Sequence, residues 1–358
     1  MPKPIIINRT IKKYNKKIKV DGDKSLSIRF ALLASQAIGR SKAYNLLKSE
    51  DVVSTINCLK KLGVKIKWDK KNNFCLINGN GLNSYVYKDN LTLNGNNSGT
   101  CVRLLTSLLI NSSKKIKIVG DKSLSKRDMK RIIDPLTEFG ATFYPKNKNT
   151  LPLYIKGSNY LTPINYLELK GSSQCKSSVM LAALLAPGET KLMCKPSRNH
   201  TELLFKYLKI PIKIKKIKNF EIIKIKGRQN FNAFNYNVPS DISSSAFFIV
   251  LTLLSKGSKL ILEKVGVNKS RTGVIEILNK MGAKINLKNK KNYKGEIVAD
   301  IHVRSAKSLK SINCPTKLNT SAIDEFLIIF LAAAKAKGVS YFKNLEELNK
   351  KESRRLDW

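Results

Sequence analysis

The chain has 358 residues, with 67 Lys and Arg against 25 Asp and Glu, a formal charge of +42. Its 42% hydrophobic content is too high for a disordered basic tail, and its length exceeds the ~250–300 residues at which one core stops growing, so two folded domains are expected. The basic excess invites nucleic acid or an anionic membrane as partner, but the Lys residues are scattered among many Asn and Ile, as an AT-rich coding sequence scatters them.

Cys58, Cys75, Cys101, Cys175, Cys194 and Cys314 form no CxxC pair, which argues against a disulfide scaffold or zinc ribbon and for a reducing cytoplasm. With only His200 and His302, a multi-histidine metal site is excluded. The longest apolar stretches, 246–254 and 326–334, fall far short of the ~20 residues that span a bilayer, and the start, MPKPIIINRTIKK, lacks the apolar region of a signal peptide. A soluble protein with no membrane partner is therefore expected.

Taken in order, five segments share one plan: an apolar helix, a Gly-containing turn, a short strand, a polar turn, an amphipathic helix and a second short strand. Their apolar helices contain Phe30, Leu104, Val179, Phe248 and Leu327, spaced 74, 75, 69 and 79 residues apart. That period is long for a solenoid but natural for an α/β supersecondary unit. Gly63, Gly140 and Gly282 stand where the second helix of copies one, two and four needs a left-handed cap, whereas copy three reads Leu208-Lys209-Ile210. Strands are expected between copies at 73–77, 151–155 and 221–225. The fifth copy stops at Trp358, just inside its second helix. Six copies would suit two domains and would need about 440 residues, so the chain reads as cut short.

The polar turns deliver hydroxyl and basic groups to helix starts: Ser49-Glu50-Asp51, Ser125-Lys126-Arg127-Asp128, Ser197-Arg198-Asn199-His200, Ser270-Arg271-Thr272 and Lys351-Glu352-Ser353-Arg354-Arg355. Capping explains the Ser, Thr and Asp residues. A recurring Arg in a first turn opposes the helix dipole and points to a bound anion. Three further segments each enter an apolar helix: Asp23-Lys24-Ser25-Leu26-Ser27-Ile28-Arg29, Asn97-Ser98-Gly99-Thr100-Cys101-Val102-Arg103 and Gly171-Ser172-Ser173-Gln174-Cys175-Lys176-Ser177. Any one suits a plain capped helix, while three together suit one site for an anionic small molecule. Asp324-Glu325, before the fifth apolar helix, is either a cap or a catalytic carboxylate; Asp241 reads as a cap.

At these residues the sequence resembles the enolpyruvyl transferases, in the branch acting on shikimate 3-phosphate. DKSLSIR (23–29), NSGTCVR (97–103), SLSKRDM (123–129), SSQCKS (172–177), SRNHTE (197–202), VPSDISSSAFF (238–248), NKSRTG (268–273), AIDEF (322–326) and LEELNKKESRRL (345–356) occur in the family's order along the whole chain. The resemblance implies an α/β (α+β) fold of two domains built from βαβαββ units with pseudo-threefold symmetry. Residues 23–236 would form a complete upper domain, and 1–22 with 237–358 a lower domain lacking its C-terminal part.

The implied activity is transfer of the carboxyvinyl group of phosphoenolpyruvate to the 5-hydroxyl of shikimate 3-phosphate by addition and elimination, in aromatic amino acid biosynthesis, with no cofactor and no metal. By motif position, Lys24, Ser25, Arg29, Ser172, Ser173, Gln174, Arg198, Asp324 and Lys351 would hold shikimate 3-phosphate. Lys24, Gly99, Arg127, Gln174 and Arg355 would hold phosphoenolpyruvate. Asp324 would take the hydroxyl proton, Glu352 would protonate the vinyl carbon, and Lys24 would bridge both substrates. Asp21, Asn199 and Arg354 depart from the family pattern. Two alternatives stand beside this reading. An inactive descendant that binds polyanions is motivated by the charge, yet no basic stripe with interleaved aromatics is seen. A UDP-N-acetylglucosamine enolpyruvyl transferase would open with Lys-Asn and carry a Cys near 118–128, where this chain has Ser25 and no Cys. The expected protein is a cytoplasmic monomer with small-molecule substrates and no specific nucleic-acid partner.

Overall fold

Each of the five apolar helices is present, and the strands expected around them complete a repeated α/β pattern. The computed structural model describes residues 10–350 together with Arg355 and Leu356. After β1 (Asn15–Ile18), the first copy runs α1 (Lys24–Gln36), β2 (Ile38–Tyr44), α2 (Glu50–Lys61), β3 (Lys65–Asp69) and β4 (Phe74–Asn80). The second runs β5 (Leu91–Asn94), α3 (Gly99–Ser107), β6 (Lys115–Val119), α4 (Lys130–Glu138), β7 (Thr142–Tyr144) and β8 (Leu153–Lys156). The third runs β9 (Asn165–Glu168), α5 (Ser173–Ala183), β10 (Glu189–Cys194), α6 (His200–Tyr207), β11 (Ile212–Ile217) and β12 (Phe220–Lys226), followed by β13 (Asn235–Asn237). Then come α7 (Ile242–Leu254), β14 (Lys259–Gly266), α8 (Gly273–Lys280), β15 (Ile285–Tyr293), β16 (Glu296–Arg304), α9 (Asn319–Ala322) and α10 (Phe326–Ala334).

The described residues form four four-stranded sheets of one design: β13-β2-β4-β3, β5-β6-β8-β7, β9-β10-β12-β11 and β1-β14-β16-β15. In each, the first pair is parallel and the other two are antiparallel. In the second and third copies the parallel pair is joined directly through a buried helix, α3 or α5, as a parallel connection requires, whereas β13 and β1 pair with strands far away in the chain.

The chain divides into two compact units. The larger holds Asp21–Asp241, the hairpin turn Asn292–Glu296 and the described residues from Glu346 on; the smaller holds the described residues up to Val20, Ile242–Lys291 and Ile297–Leu345. In the larger unit three sheets surround α1, α3 and α5, whose Phe30, Leu33, Leu104, Leu105, Val179 and Leu181 are buried to within 3%. α3 packs on both α1 and α5. In the smaller unit α7 and α10 pack together yet expose Phe247, Leu251, Leu254, Leu327 and Leu331. Among the described residues, no helix is long and apolar enough to cross a membrane.

Glycine shapes the repeat in a way periodicity did not suggest. A Cβ on Gly79, Gly157 or Gly227 would stand 2.2, 2.3 or 2.0 Å from the carbonyl oxygen of Ala37, Ile110 or Ala186. Only a residue without a side chain lets the last strand of each sheet return so close to the C-terminus of the apolar helix. The same return satisfies carbonyls at or just past the helix ends, through Gly81 N–H to Ala37 at 3.1 Å, Ser158 N–H to Ile110 at 2.8 Å and Arg228 N–H to Leu184 at 2.8 Å.

The left-handed caps occur as expected, with φ of 84°, 113° and 91° at Gly63, Gly140 and Gly282. Copy three keeps the same geometry rather than a looser one: Lys209 follows the C-cap Leu208 of α6 with φ of 57°. A side chain in that region costs roughly 1–2 kcal/mol, partly offset in a glycine by its extra freedom in the unfolded chain. Lys209→Gly is therefore expected to stabilise the protein by about 0.5–1 kcal/mol, raising the melting temperature by about 1–4 °C. A lowered melting temperature would show that the Lys209 side chain makes a stabilising contact instead.

Candidate active site

Three helix starts in the larger unit carry the donor-rich motifs. Asp23 caps α1, accepting from Leu26 N–H at 2.8 Å, and Asp241 accepts from Lys24 N–H at 3.2 Å. Asp241 thus caps α1 as well as preceding α7. Ser98 caps α3, its Oγ accepting from Cys101 N–H at 3.2 Å, and Ser172 caps α5, accepting from Cys175 N–H at 3.3 Å. Helix starts of this kind present first-turn N–H groups and the positive end of the helix dipole to an anion.

Long side chains tie these starts together. Arg29, on α1, donates from Nε to Thr201 Oγ1 at 2.8 Å and from a terminal nitrogen to Ser177 Oγ on α5 at 2.7 Å. It is 4% exposed, and burial lowers its pKa to about 10 against the opposing pull of Glu202 and Asp23. It therefore stays charged at neutral pH. Arg103, on α3, donates to Gln174 Oε1 at 2.5 Å and to the Asp128 carbonyl at 2.9 Å. Gln174 Nε2 in turn donates to Thr100 Oγ1 at 3.0 Å, so the amide is oriented from both ends. Asp51, in the first turn of α2, accepts from Ser98 Oγ at 2.6 Å and lies 3.8 Å from Lys24 Nζ. That long, partly exposed ion pair is weak, which leaves the Lys24 ammonium free to turn to a stronger anion.

Arg127 donates to Asn97 Oδ1 at 2.6 Å and Ser123 Oγ at 3.3 Å. A Cβ built on Gly99 would lie 3.3 Å from one Arg127 nitrogen and 3.4 Å from one of Arg103. Two guanidinium groups thus converge on the bare first residue of α3. Such a constellation of Lys24, Arg103, Arg127 and open helix N-termini suits a small polyanion carrying phosphate or carboxylate groups.

The family model described as EPSP synthase (3-phosphoshikimate 1-carboxyvinyltransferase) matches residues 8–358. The chain belongs to the EPSP synthase family. The 3-phosphoshikimate 1-carboxyvinyltransferase of Ruthia magnifica subsp. Calyptogena magnifica is 42% identical over 340 residues, covering 95% of this chain and 76% of the relative. That of Petrotoga mobilis is 38% identical over 346 residues, covering 96% and 78%. The EPSP synthase of Acinetobacter baumannii superposes with a TM-score of 0.85 at 38% identity, over 97% of this chain and 77% of that one. The enolpyruvyl transferase NikO of Streptomyces tendae, at 13% identity and a TM-score of 0.69, shares the fold, over 91% of this chain and 74% of its own. These matches favour an EPSP synthase over both alternatives considered from the sequence.

Of the residues expected from the EPSP synthase resemblance, Lys24, Ser25, Arg29, Gly99, Arg127, Ser172, Ser173, Gln174 and Arg198 all lie in the larger unit. Arg355 belongs to the same unit, in a turn and half-buried. Asp324 lies in the smaller unit, in the turn between α9 and α10, half-buried. Its neighbour Glu325 is buried, accepts from Ser243 Oγ and sits 3.8 Å from Arg271. Lys351 and Glu352 lie outside the described residues.

One expectation needs correction. The recurring Arg does not stand in a first helical turn. Arg127, Arg198 and Arg271 precede the N-caps Met129, Asn199 and Thr272 of α4, α6 and α8. They project from the loop before the helix, outside its first turn. Sequence reasoning read Asp51 only as a cap and gave no individual role to Arg103, Lys176 or Glu202. The available signal was a charged residue one turn inside an otherwise apolar helix, a costly position unless paired.

Proposed function

We propose that this chain catalyses transfer of the carboxyvinyl group from phosphoenolpyruvate to the 5-hydroxyl of shikimate 3-phosphate, releasing phosphate. The observation carrying the proposal is the linkage of three helix starts by Arg29 with Ser177 and Thr201, Arg103 with Gln174 and Thr100, and Asp51 with Ser98 and Lys24. Two phosphates and two carboxylates need such a dense array of donors.

In this reading Ser25, Arg29, Ser172, Ser173, Gln174 and Arg198 hold shikimate 3-phosphate. Gly99, Arg127, Gln174 and Arg355 hold phosphoenolpyruvate, and Lys24 reaches both. Asp324 takes the proton of the 5-hydroxyl as its oxygen bonds to C2 of phosphoenolpyruvate, while C3 gains a proton. Loss of phosphate from C2 and a proton from C3 then leaves the enol ether. Glu352 and Lys351 keep the roles that the family resemblance implies, donor to C3 and acceptor contact. Residues 23–236 would act as the upper domain, and 1–22 with 237–358 as the lower one. Six buried free thiols suit a reducing cytoplasm, where a monomer would meet both substrates.

The test is phosphate release from phosphoenolpyruvate, with shikimate 3-phosphate or UDP-N-acetylglucosamine as acceptor. Release is expected only with shikimate 3-phosphate. Release with the nucleotide sugar, or none with either acceptor, would overturn the proposal.

A further inference from the structure

The larger unit buries a lysine completely. Lys176, in the first turn of α5, is 0% exposed. Its Nζ lies 2.5 Å from Glu202 Oε1 on α6 and 3.6 Å from Glu221 Oε2 on β12. It also donates to the Ser197 carbonyl at 3.3 Å. Ser197 is the residue before Arg198, so this bond holds the peptide from which the Arg198 side chain departs.

Taking an ammonium and a carboxylate out of water costs several kcal/mol each, and apolar residues of similar volume often serve a fold equally well. The core around α5 offers such residues on every side: Val179, Met180 and Leu181 follow Lys176 in the same helix and are buried to within 1%. A charge retained there calls for another reason, and its neighbours supply one. Glu202 follows Thr201, the acceptor for Arg29 Nε, so the partner of Lys176 and the anchor of Arg29 share one turn of α6. Glu202 also attracts Arg29, whereas Arg198 repels it. Two cations that repel each other need fixed backbones and a fixed counter-charge to face one ligand together.

We infer that Lys176 is a positioning residue for the acceptor's anionic groups, holding the Arg198 peptide through the Ser197 carbonyl, with Glu202 as its buried counter-charge. The inference rests on the reading that Arg198 and Arg29 contact shikimate 3-phosphate. Lys176 itself is too deeply buried to touch a substrate. Its contribution is to place Arg198 before the ligand arrives, so that binding does not have to order the loop.

The experiment is calorimetric titration of shikimate 3-phosphate into the wild-type chain, Arg198→Gln, Lys176→Met and the double variant. Arg198→Gln is expected to weaken binding by about 10- to 100-fold, the loss of a charged hydrogen bond to an anion. Unchanged binding there would fail the acceptor-site reading itself. Lys176→Met is expected to weaken binding about tenfold, and to add little in the Arg198→Gln background, since it acts through Arg198. Undiminished affinity for Lys176→Met, or a fully additive double variant, would overturn the inference while leaving the acceptor-site reading intact.

Should Lys176→Met fail to fold because Glu202 is left unpaired, Lys176→Met/Glu202→Gln removes both charges and is compared with Glu202→Gln alone. Equal affinity of those two would also overturn the inference. In turnover, KM for shikimate 3-phosphate should rise in step with the dissociation constant, without a matching rise for phosphoenolpyruvate. A general structural defect would move both.

Discussion

Replacing Asp324 by Ala is expected to slow phosphate release by about 10²–10⁴-fold at saturating substrates, the usual contribution of a positioned general base. The melting temperature should fall less than it does for Glu325→Gln, because the two adjacent carboxylates divide their work. Glu325 is 2% exposed, accepts from Ser243 Oγ and lies 3.8 Å from the buried Arg271, so it serves the packing of α7, α8 and α10. Asp324 stands half-buried in the turn just before it. Glu325→Gln should give the opposite pattern, since it removes a carboxylate beside the buried Arg271, a change that costs up to about 3–5 kcal/mol. Steady-state phosphate release and thermal melting of both variants check this pair. A catalytic loss confined to Glu325→Gln, at unchanged melting temperature, would assign the base to Glu325.

Gly99→Ala is expected to raise KM for phosphoenolpyruvate by about 10- to 100-fold, the worth of one charged hydrogen bond displaced. The added methyl would lie 3.3 Å from Arg127 and 3.4 Å from Arg103, where it crowds both guanidinium groups. Arg103 is tied to Gln174 and the Asp128 carbonyl and Arg127 to Asn97 and Ser123, so neither can withdraw without breaking a hydrogen bond. Stability should change little, because the better helix propensity of alanine, at a position without a left-handed φ, offsets part of the crowding. KM for shikimate 3-phosphate should rise far less. An equal rise for both substrates would remove Gly99 from the donor pocket.

Much of the site was legible because its ligands are clustered in short motifs. Asp23–Arg29, Asn97–Arg103 and Ser172–Ser177 each announce a helix start with an excess of donors, and each is found at such a start. The repeat was legible because apolar helices and left-handed glycines recur at a near-constant period. Copy three escaped the glycine rule: Lys209 adopts the left-handed cap at a cost that the surrounding packing imposes. The glycines at 79, 157 and 227 were not legible, since their requirement comes from carbonyl oxygens just past the end of a helix some 40 residues earlier in the chain.

The amino-acid sequence alone determined which groups are available. It set the helix caps, the apolar stripes that must be buried, the excess of cations and the family to which the motifs belong. Only the tertiary structure decided which groups meet. Arg103 reaches Gln174 across 71 residues, and Arg29 reaches Ser177 and Thr201 across 148 and 172. It also decided which charges stay buried, as with Lys176 between Glu202 and Glu221. The physical reason is that capping and amphipathicity are local, acting within a turn or two of helix. Pairing of buried charges depends on where the sheets carry distant segments, and no spacing along the chain encodes that distance.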